Sequence, residues 1–187
     1  MPGKLSVPVP ESKGPPIVGI GASAGGLEAL TALLGALPPD SGLDFVIIQH
    51  LDPKHESLLP SLLSRSTGMP VRQVKDGMLV EPNHVYVIPP NTSLAVTQHT
   101  LRLTPREAAV GVRLPIDGFL RSLAENSGSR SIAVILSGTG SDGALGLAAV
   151  KSEGGITFAQ DEKSAKFTDM PKNAVATGCV DFVLAPE

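Results

Sequence analysis

Ile17-Val18-Gly19-Ile20-Gly21-Ala22-Ser23-Ala24-Gly25-Gly26-Leu27 is the stretch whose reading decides the fold class. Its first half, Ile17 to Gly21, is a short β-branched run ending in glycine, the length and composition of a buried strand. From Ala24 to Leu37, apolar residues recur at Leu27, Leu30, Leu33, Leu34 and Leu37, the spacing of one helix face, and Pro38-Pro39 stops the pattern. The unit is strand, tight turn, helix, and it repeats downstream. Phe45-Val46-Ile47-Ile48 is a second apolar run, ending at Gln49-His50. Leu58 to Ser66 reads as a helix if Pro60 lies in its first turn. Later come a helix over Pro115–Glu125, a strand Ile132–Leu136, a helix Ala144–Ser152, a strand Ile156–Ala159, a helix near Pro171–Ala176 and a strand Val180–Leu184. Strands alternating with helices predict an α/β fold, a doubly wound, mostly parallel sheet with helices on both faces.

Two regions break the alternation. Segments near Val71–Val74, Val85–Ile88, Leu94–Thr97 and Leu101–Thr104 are short and alternating, with turn residues between them, and predict a small insertion of antiparallel hairpins. Residues 1–16, ending Gly14-Pro15-Pro16, are Pro-rich without periodicity, which reads as a flexible tail and leaves residues 17–187 as one domain.

Composition narrows the function. The 187 residues are 42% apolar, enough for a real core. Fifteen basic against eighteen acidic residues leave a net charge of −3, without the basic excess of a nucleic-acid binder. Aromatics at 3% and no Trp argue against base-stacking platforms. No apolar run reaches the ~18 residues of a membrane span, and the N-terminus has no signal pattern. The single cysteine, Cys179, rules out an internal disulfide framework and fits a cytoplasmic location.

In such sheets, function gathers beyond the carboxyl ends of the strands. Ser23 follows the first strand, His50 the second, and Asp142 lies past Ile132–Leu136. That set is a serine-nucleophile constellation. Gly21-Ala22-Ser23-Ala24-Gly25 reads G-x-S-x-G at a strand-to-helix junction, where a sharp turn exposes the Ser oxygen. The Ala24 and Gly25 amides at the helix start face a developing oxyanion. Ser23 equally suits a helix N-cap, and Asp142 equally suits a cap for the helix starting at Ala144.

Gly19-x-Gly21-x-x-Ala24 also fits a dinucleotide fingerprint, although no acid stands at the end of the second strand to hold a ribose. His50 has competitors in His55, His84 and His99. His84 at the start of a hairpin strand and His99 in a hairpin turn read as surface residues. His55 stands five residues after His50 with Pro53 between, not the i, i+4 spacing of a zinc helix, so no metal site is expected. The imidazole of His50 suits proton shuttling at neutral pH. The order Ser, His, Asp differs from the Ser, Asp/Glu, His order of α/β-hydrolases. Hydrolase, nucleotide- or phosphate-binding module and catalytically silent signalling module all remain open on pattern alone.

Gly21-Ala22-Ser23-Ala24-Gly25-Gly26, Gln49-His50 and Leu136-Ser137-Gly138-Thr139-Gly140-Ser141-Asp142-Gly143-Ala144 together resemble the signatures of the chemotaxis protein-glutamate methylesterase (CheB) catalytic domain. Val87-Ile88-Pro89-Pro90, Ala159-Gln160-Asp161, Met170-Pro171 and Ala174-Val175-Ala176-Thr177-Gly178 are similar to that family as well. The resemblance implies a nucleophile at Ser23, a general base at His50 and an orienting acid at Asp142. It implies hydrolysis of glutamate γ-methyl esters on the cytoplasmic helices of bacterial chemoreceptors, and deamidation of receptor glutamines, with no cofactor.

Backbone amides at Ala24 and near Thr139 would hold the oxyanion. Many members carry Thr and Met where this chain has Ala24 and Thr139, changes that leave backbone donors intact. Arg113-Leu114-Pro115-Ile116-Asp117 is similar to an Arg-Pro-x-x-Asp stretch in relatives, which makes Arg113 a substrate-side candidate, and Arg113 equally suits a surface Arg beside a helix start. The tail before Ile17 cannot hold the receiver domain of the familiar form. The expectation is a receiver-less form, stand-alone or fused to a methyltransferase.

Overall fold

The computed structural model describes residues 14–49, 58–106 and 114–187. Ten strands and five α-helices follow one another in these segments. They are β1 (Ile17–Ala22), α1 (Gly26–Ala36), β2 (Asp44–Gln49), α2 (Leu59–Leu63), β3 (Val71–Gln73), β4 (Met78–Leu79), β5 (Val85–Val87), β6 (Thr92–Thr97) and β7 (Thr100–Pro105). After them come α3 (Pro115–Ser127), β8 (Ile132–Ile135), α4 (Ala144–Ser152), β9 (Ile156–Gln160), α5 (Asp169–Ala176) and β10 (Phe182–Leu184). Seven strands form one sheet in the order β10-β9-β8-β1-β2-β5-β3, every pairing parallel. The other three form a separate antiparallel sheet, β4-β7-β6. The doubly wound sheet expected from the alternation is present.

Alternation along β2 shows how the core divides. Phe45 and Ile47 join a cluster under α1 and α2, with Val18, Ile20, Leu30, Leu34 and Leu63. Val46 and Ile48 point the other way, into a cluster with Ile116, Phe119, Leu120, Leu123, Leu147 and Val150 from α3 and α4. Both faces of the sheet are covered, as parallel strands require. On β1 the α3 face is lined by glycine, and this is a matter of space. A Cβ on Gly19 would lie 2.7 Å from Leu120 Cδ2, and one on Gly21 would overlap Ile116 Cγ2. The glycines that resemble a dinucleotide fingerprint thus let α3 pack directly on the central strand.

The middle of the chain departs from expectation. Val71–Gln73 and Val85–Val87 are not hairpin strands; both run parallel in the main sheet, with Val85 opposite Phe45 and Val71 opposite Val85. Between these two strands the chain passes through turns at Gly77 (φ 79°) and Asn83 (φ 62°) and through β4, which pairs in the other sheet. Only β4, β6 and β7 form the antiparallel insertion. It anchors on α3, where the Val96 amide donates to Ser122 Oγ (3.0 Å) and the Gln98 amide to Asn126 Oδ1 (2.6 Å).

The two histidines of this region are not plain surface residues either. The His84 side chain is only 16% exposed, with its ring stacked 6.0 Å from Tyr86. His99 does occupy the β6–β7 turn (φ 57°), yet its ring packs against Gly14 and both ring nitrogens are buried without a hydrogen-bond partner among the described residues. Burial holds the His99 imidazole below its ordinary pKa, helped by the Arg130 charge.

Candidate active site

The chain leaves β1 toward β2 on one side and later returns to pair β8 on the other. Strand order therefore reverses at β1, and its carboxyl end is the switch point where open α/β sheets place their ligands. Three connections meet there: the β1–α1 turn, the chain leaving β2 at Gln49, and the loop from β8 to α4. Gln49 stands opposite Ala22 in the register, and Gly21 opposite Ile135.

Ser23 sits in the first of these connections. It is not the helix cap that its type allowed: α1 begins at Gly26, its N-cap is Gly25, and no side-chain cap bond forms. Gly25 holds φ +70°, a left-handed conformation suited to glycine. The Ser23 amide donates to the Ser137 carbonyl (3.0 Å) and the Ser23 carbonyl accepts from Gly26 (2.9 Å), so both ends of the residue are fixed. Gly138 lies against its side chain. A Cβ added there would stand 2.9 Å from Ser23 Cβ and would overlap Met170 Sδ. Neither the Ala24 nor the Gly25 amide has an acceptor among the described residues, which leaves both open toward a ligand oxygen.

Asp142, in the β8–α4 loop, is 3% exposed. It does not cap α4, whose N-cap is Gly143 without a side-chain bond. Its carboxylate crosses to α3 instead, accepting the amides of Ile116 (3.1 Å, Oδ2) and Asp117 (2.9 Å, Oδ1). A carboxylate at a helix N-terminus is favoured by the exposed amides and the helix dipole. Each oxygen offers about two acceptor directions, so these bonds leave capacity for a further donor such as an imidazole N–H. Thr139 is exposed in the same loop, and its neighbour Gly140 accepts from Asn173 Nδ2 (2.9 Å). His50 and Arg113 lie outside the described residues.

Composition and spacing did not single out Asp117, Gln160, Ser137 or the Lys166–Glu28 pair. Asp117 is a second buried carboxylate beside Asp142, accepting the Gly146 amide through Oδ1 (2.6 Å). Burial pushes its pKa up, and the Asp142 charge adds to that. Gln160, at the end of β9, accepts the Ser137 amide through Oε1 (2.8 Å) and donates from Nε2 to Ser164 (3.2 Å). Ser137 itself is fully buried. At the rim, Lys166 pairs with Glu28 in the first turn of α1 (3.1 Å). Among the described residues, no three His, Cys, Asp or Glu side chains are grouped to hold a metal ion.

Residues 18–187 match the profile of the CheB methylesterase family. The chain belongs to that family. The crystal structure of the Thermotoga maritima CheB methylesterase catalytic domain superposes with a TM-score of 0.83 at 31% identity, covering 93% of this chain and 94% of that one. The protein-glutamate methylesterase/protein-glutamine glutaminase 2 of Burkholderia lata is 39% identical over 96% of this chain, which spans 53% of that protein. A 104.1 kDa protein of Rhodobacter capsulatus is 46% identical over 69% of this chain, and there the matched part is 13% of the whole. The chain thus spans about half the length of a CheB methylesterase relative and a small part of a much longer one. No helix among the described residues is long and apolar enough to cross a membrane.

Proposed function

We propose that residues 17–187 form a serine esterase domain that hydrolyses glutamate γ-methyl esters on bacterial chemoreceptors, releasing methanol. The observation that carries this reading is the joining of the Ser23 turn to the β8–α4 loop at the switch point of the sheet, with Asp142 buried in that loop. Family membership adds the reaction class, and the names of the Burkholderia relatives add a second leaving group, the ammonia of glutamine.

In this mechanism Ser23 Oγ attacks the side-chain acyl carbon. His50, the residue after β2, takes the Ser proton and delivers it to the departing methoxide as methanol forms. The Asp142 carboxylate orients the imidazole and stabilises its cation. The amides of Ala24, Gly25 and Thr139 supply the donors for the tetrahedral oxyanion, where charge develops. A water molecule, deprotonated by His50, then attacks the acyl-enzyme and frees Ser23. Arg113, two residues before α3, takes a substrate-side role. The substrate helices place the reaction in the cytoplasm, and a fused or separate methyltransferase is the partner activity that makes the ester.

Methanol release from methylated receptor cytoplasmic fragments tests the reading directly. Ser23→Ala, folded as judged by circular dichroism, lowers release to the uncatalysed background. Release at the parental rate from that variant removes Ser23 as nucleophile and the esterase reading with it.

A further inference from the structure

Ser137 makes four hydrogen bonds with all of its polar groups, and they reach three separate parts of the chain. Its amide donates to Gln160 Oε1 (2.8 Å) at the end of β9. Its carbonyl accepts the Ser23 amide (3.0 Å). Its hydroxyl donates to the Ala24 carbonyl (2.8 Å) and accepts the Phe167 amide (3.0 Å) from the connection between β9 and α5. Gly138 continues the pattern, donating to the Phe167 carbonyl and accepting the Met170 amide, each at 3.0 Å. The residue is fully buried, so none of these bonds competes with bulk water.

The bond to Ala24 has a consequence set by peptide geometry. The Ala24 carbonyl and the Gly25 amide belong to one planar trans peptide, so they point in opposite directions. Holding the carbonyl on a buried hydroxyl turns the Gly25 N–H away from the interior. That N–H has no acceptor among the described residues. The Phe167 amide holds the hydroxyl oxygen from the other side, so its proton is directed to Ala24 rather than to Phe167. The hydroxyl comes this close because position 25 carries no side chain: a Cβ there would lie 2.7 Å from Ser137 Oγ.

We infer that the Ser137 hydroxyl is a positioning residue for ester hydrolysis, locking the Ala24–Gly25 peptide so that the Gly25 N–H is aimed at the oxyanion before substrate arrives. The inference rests on the esterase reading above and deepens it. Preorganised donors stabilise the transition state without reorganisation, and the loss of one such donor outright costs ~10²–10³-fold in kcat. Freeing the peptide without removing the donor costs less, roughly 10–100-fold, and acts on kcat because the oxyanion exists only in the transition state.

The experiment compares steady-state methanol release by the full chain, Ser23→Ala, Ser137→Ala and Ser137→Thr, each with its melting temperature. Ser137→Ala lowers kcat roughly 10–100-fold with KM nearly unchanged, and Ser137→Thr, which keeps the hydroxyl, restores most of kcat. Where Ser137→Ala does not fold, Ser137→Cys supplies the same comparison, filling the space with a much weaker donor. An unchanged kcat in Ser137→Ala, or a loss shared equally by the hydroxyl-bearing threonine variant, overturns the assignment while a dead Ser23→Ala keeps the esterase reading standing. Parental release by Ser23→Ala instead overturns the esterase reading itself, and the role of Ser137 with it.

Discussion

Asp142 accepts the backbone amide of Asp117 at 2.9 Å, so the loop after β8 is tied to the first turn of α3 by its carboxylate. The second oxygen takes the Ile116 amide, and the pair of bonds fixes the plane of the carboxylate. Asp142→Asn keeps the size of the side chain but turns an amide N–H toward one of these two donors. The expected result is a loss of about 1 kcal/mol in stability, the worth of a helix cap, with kcat lowered ~10²–10⁴-fold, the range for an orienting acid. Urea unfolding and methanol release measure the two effects separately. A variant that loses stability while retaining its rate assigns Asp142 to the helix alone.

Gly138 offers a steric test of the same site. Its position against Ser23 Cβ and Met170 Sδ leaves no room for a methyl group. The thioether is the flexible side of that contact, but Ser23 is held at both its amide and its carbonyl. Gly138→Ala therefore costs ~1–3 kcal/mol by overpacking and displaces the Ser oxygen, lowering kcat at least ~10-fold.

Asp44 carries a pH dependence outside the site. It opens β2 fully buried, and neither carboxylate oxygen has a hydrogen-bond partner among the described residues. Burial pushes its pKa up from 3.8 to about 6, with the His84 charge drawing it partly back. The folded state thus binds this proton more tightly than the unfolded chain does. Its contribution is most favourable below the unfolded value, is lost as pH rises from about 4 to about 6, and stays lost above that. A shift of this size corresponds to a cost on the order of 2–3 kcal/mol at neutral pH. Asp44→Asn, uncharged throughout, stabilises the protein at pH 7, and the gain over the parent shrinks as pH falls through that window. Chemical denaturation across the window follows the difference, and a gain independent of pH contradicts the assignment.

The edge strand β10 presents Phe182, Val183 and Leu184, all exposed, beside a free row of backbone groups in the described sheet. Such an edge templates pairing with other chains, and an outward lysine blunts it. Val183→Lys raises the concentration at which sedimentation detects association, with no change in melting temperature beyond ~0.5 kcal/mol equivalent.

What could be read in advance follows the range of the forces involved. The β1–turn–α1 unit was legible because periodicity and glycine spacing act within a few residues. The parallel sheet followed from repetition of that unit. The direction of β3 and β5 was not legible, since the turns at Gly77 and Asn83 each look like a hairpin signal, while β4 between them pairs with β7 and leaves β3 and β5 side by side in the main sheet. Asp142 was found as a reactive side chain past a strand, but its partners Ile116 and Asp117 lie 26 and 25 residues upstream on another helix. Ser137 lies 113 residues from the carbonyl it holds, and no local pattern marks a hydroxyl whose importance comes from a contact that distant. His99 looked like a solvated turn residue because its cover comes from Gly14, at the far end of the chain.

α3 is gripped at both ends by polar contacts of different kinds. Its later turns hold β6 through Ser122 and the β6–β7 turn through Asn126, and its first turn presents the two amides that Asp142 accepts. Between those grips it lies against the glycine face of β1, with no side chain on Gly19 or Gly21 to act as a cushion. The helix therefore bridges the hairpin and the Asp142 carboxylate, with about one and a half to three turns between the two sets of contacts. The same helix lies against β1, the strand that leads into Ser23. A partner that grasps the β6–β7 hairpin would press on one helix that touches both the Asp142 loop and the strand leading into Ser23.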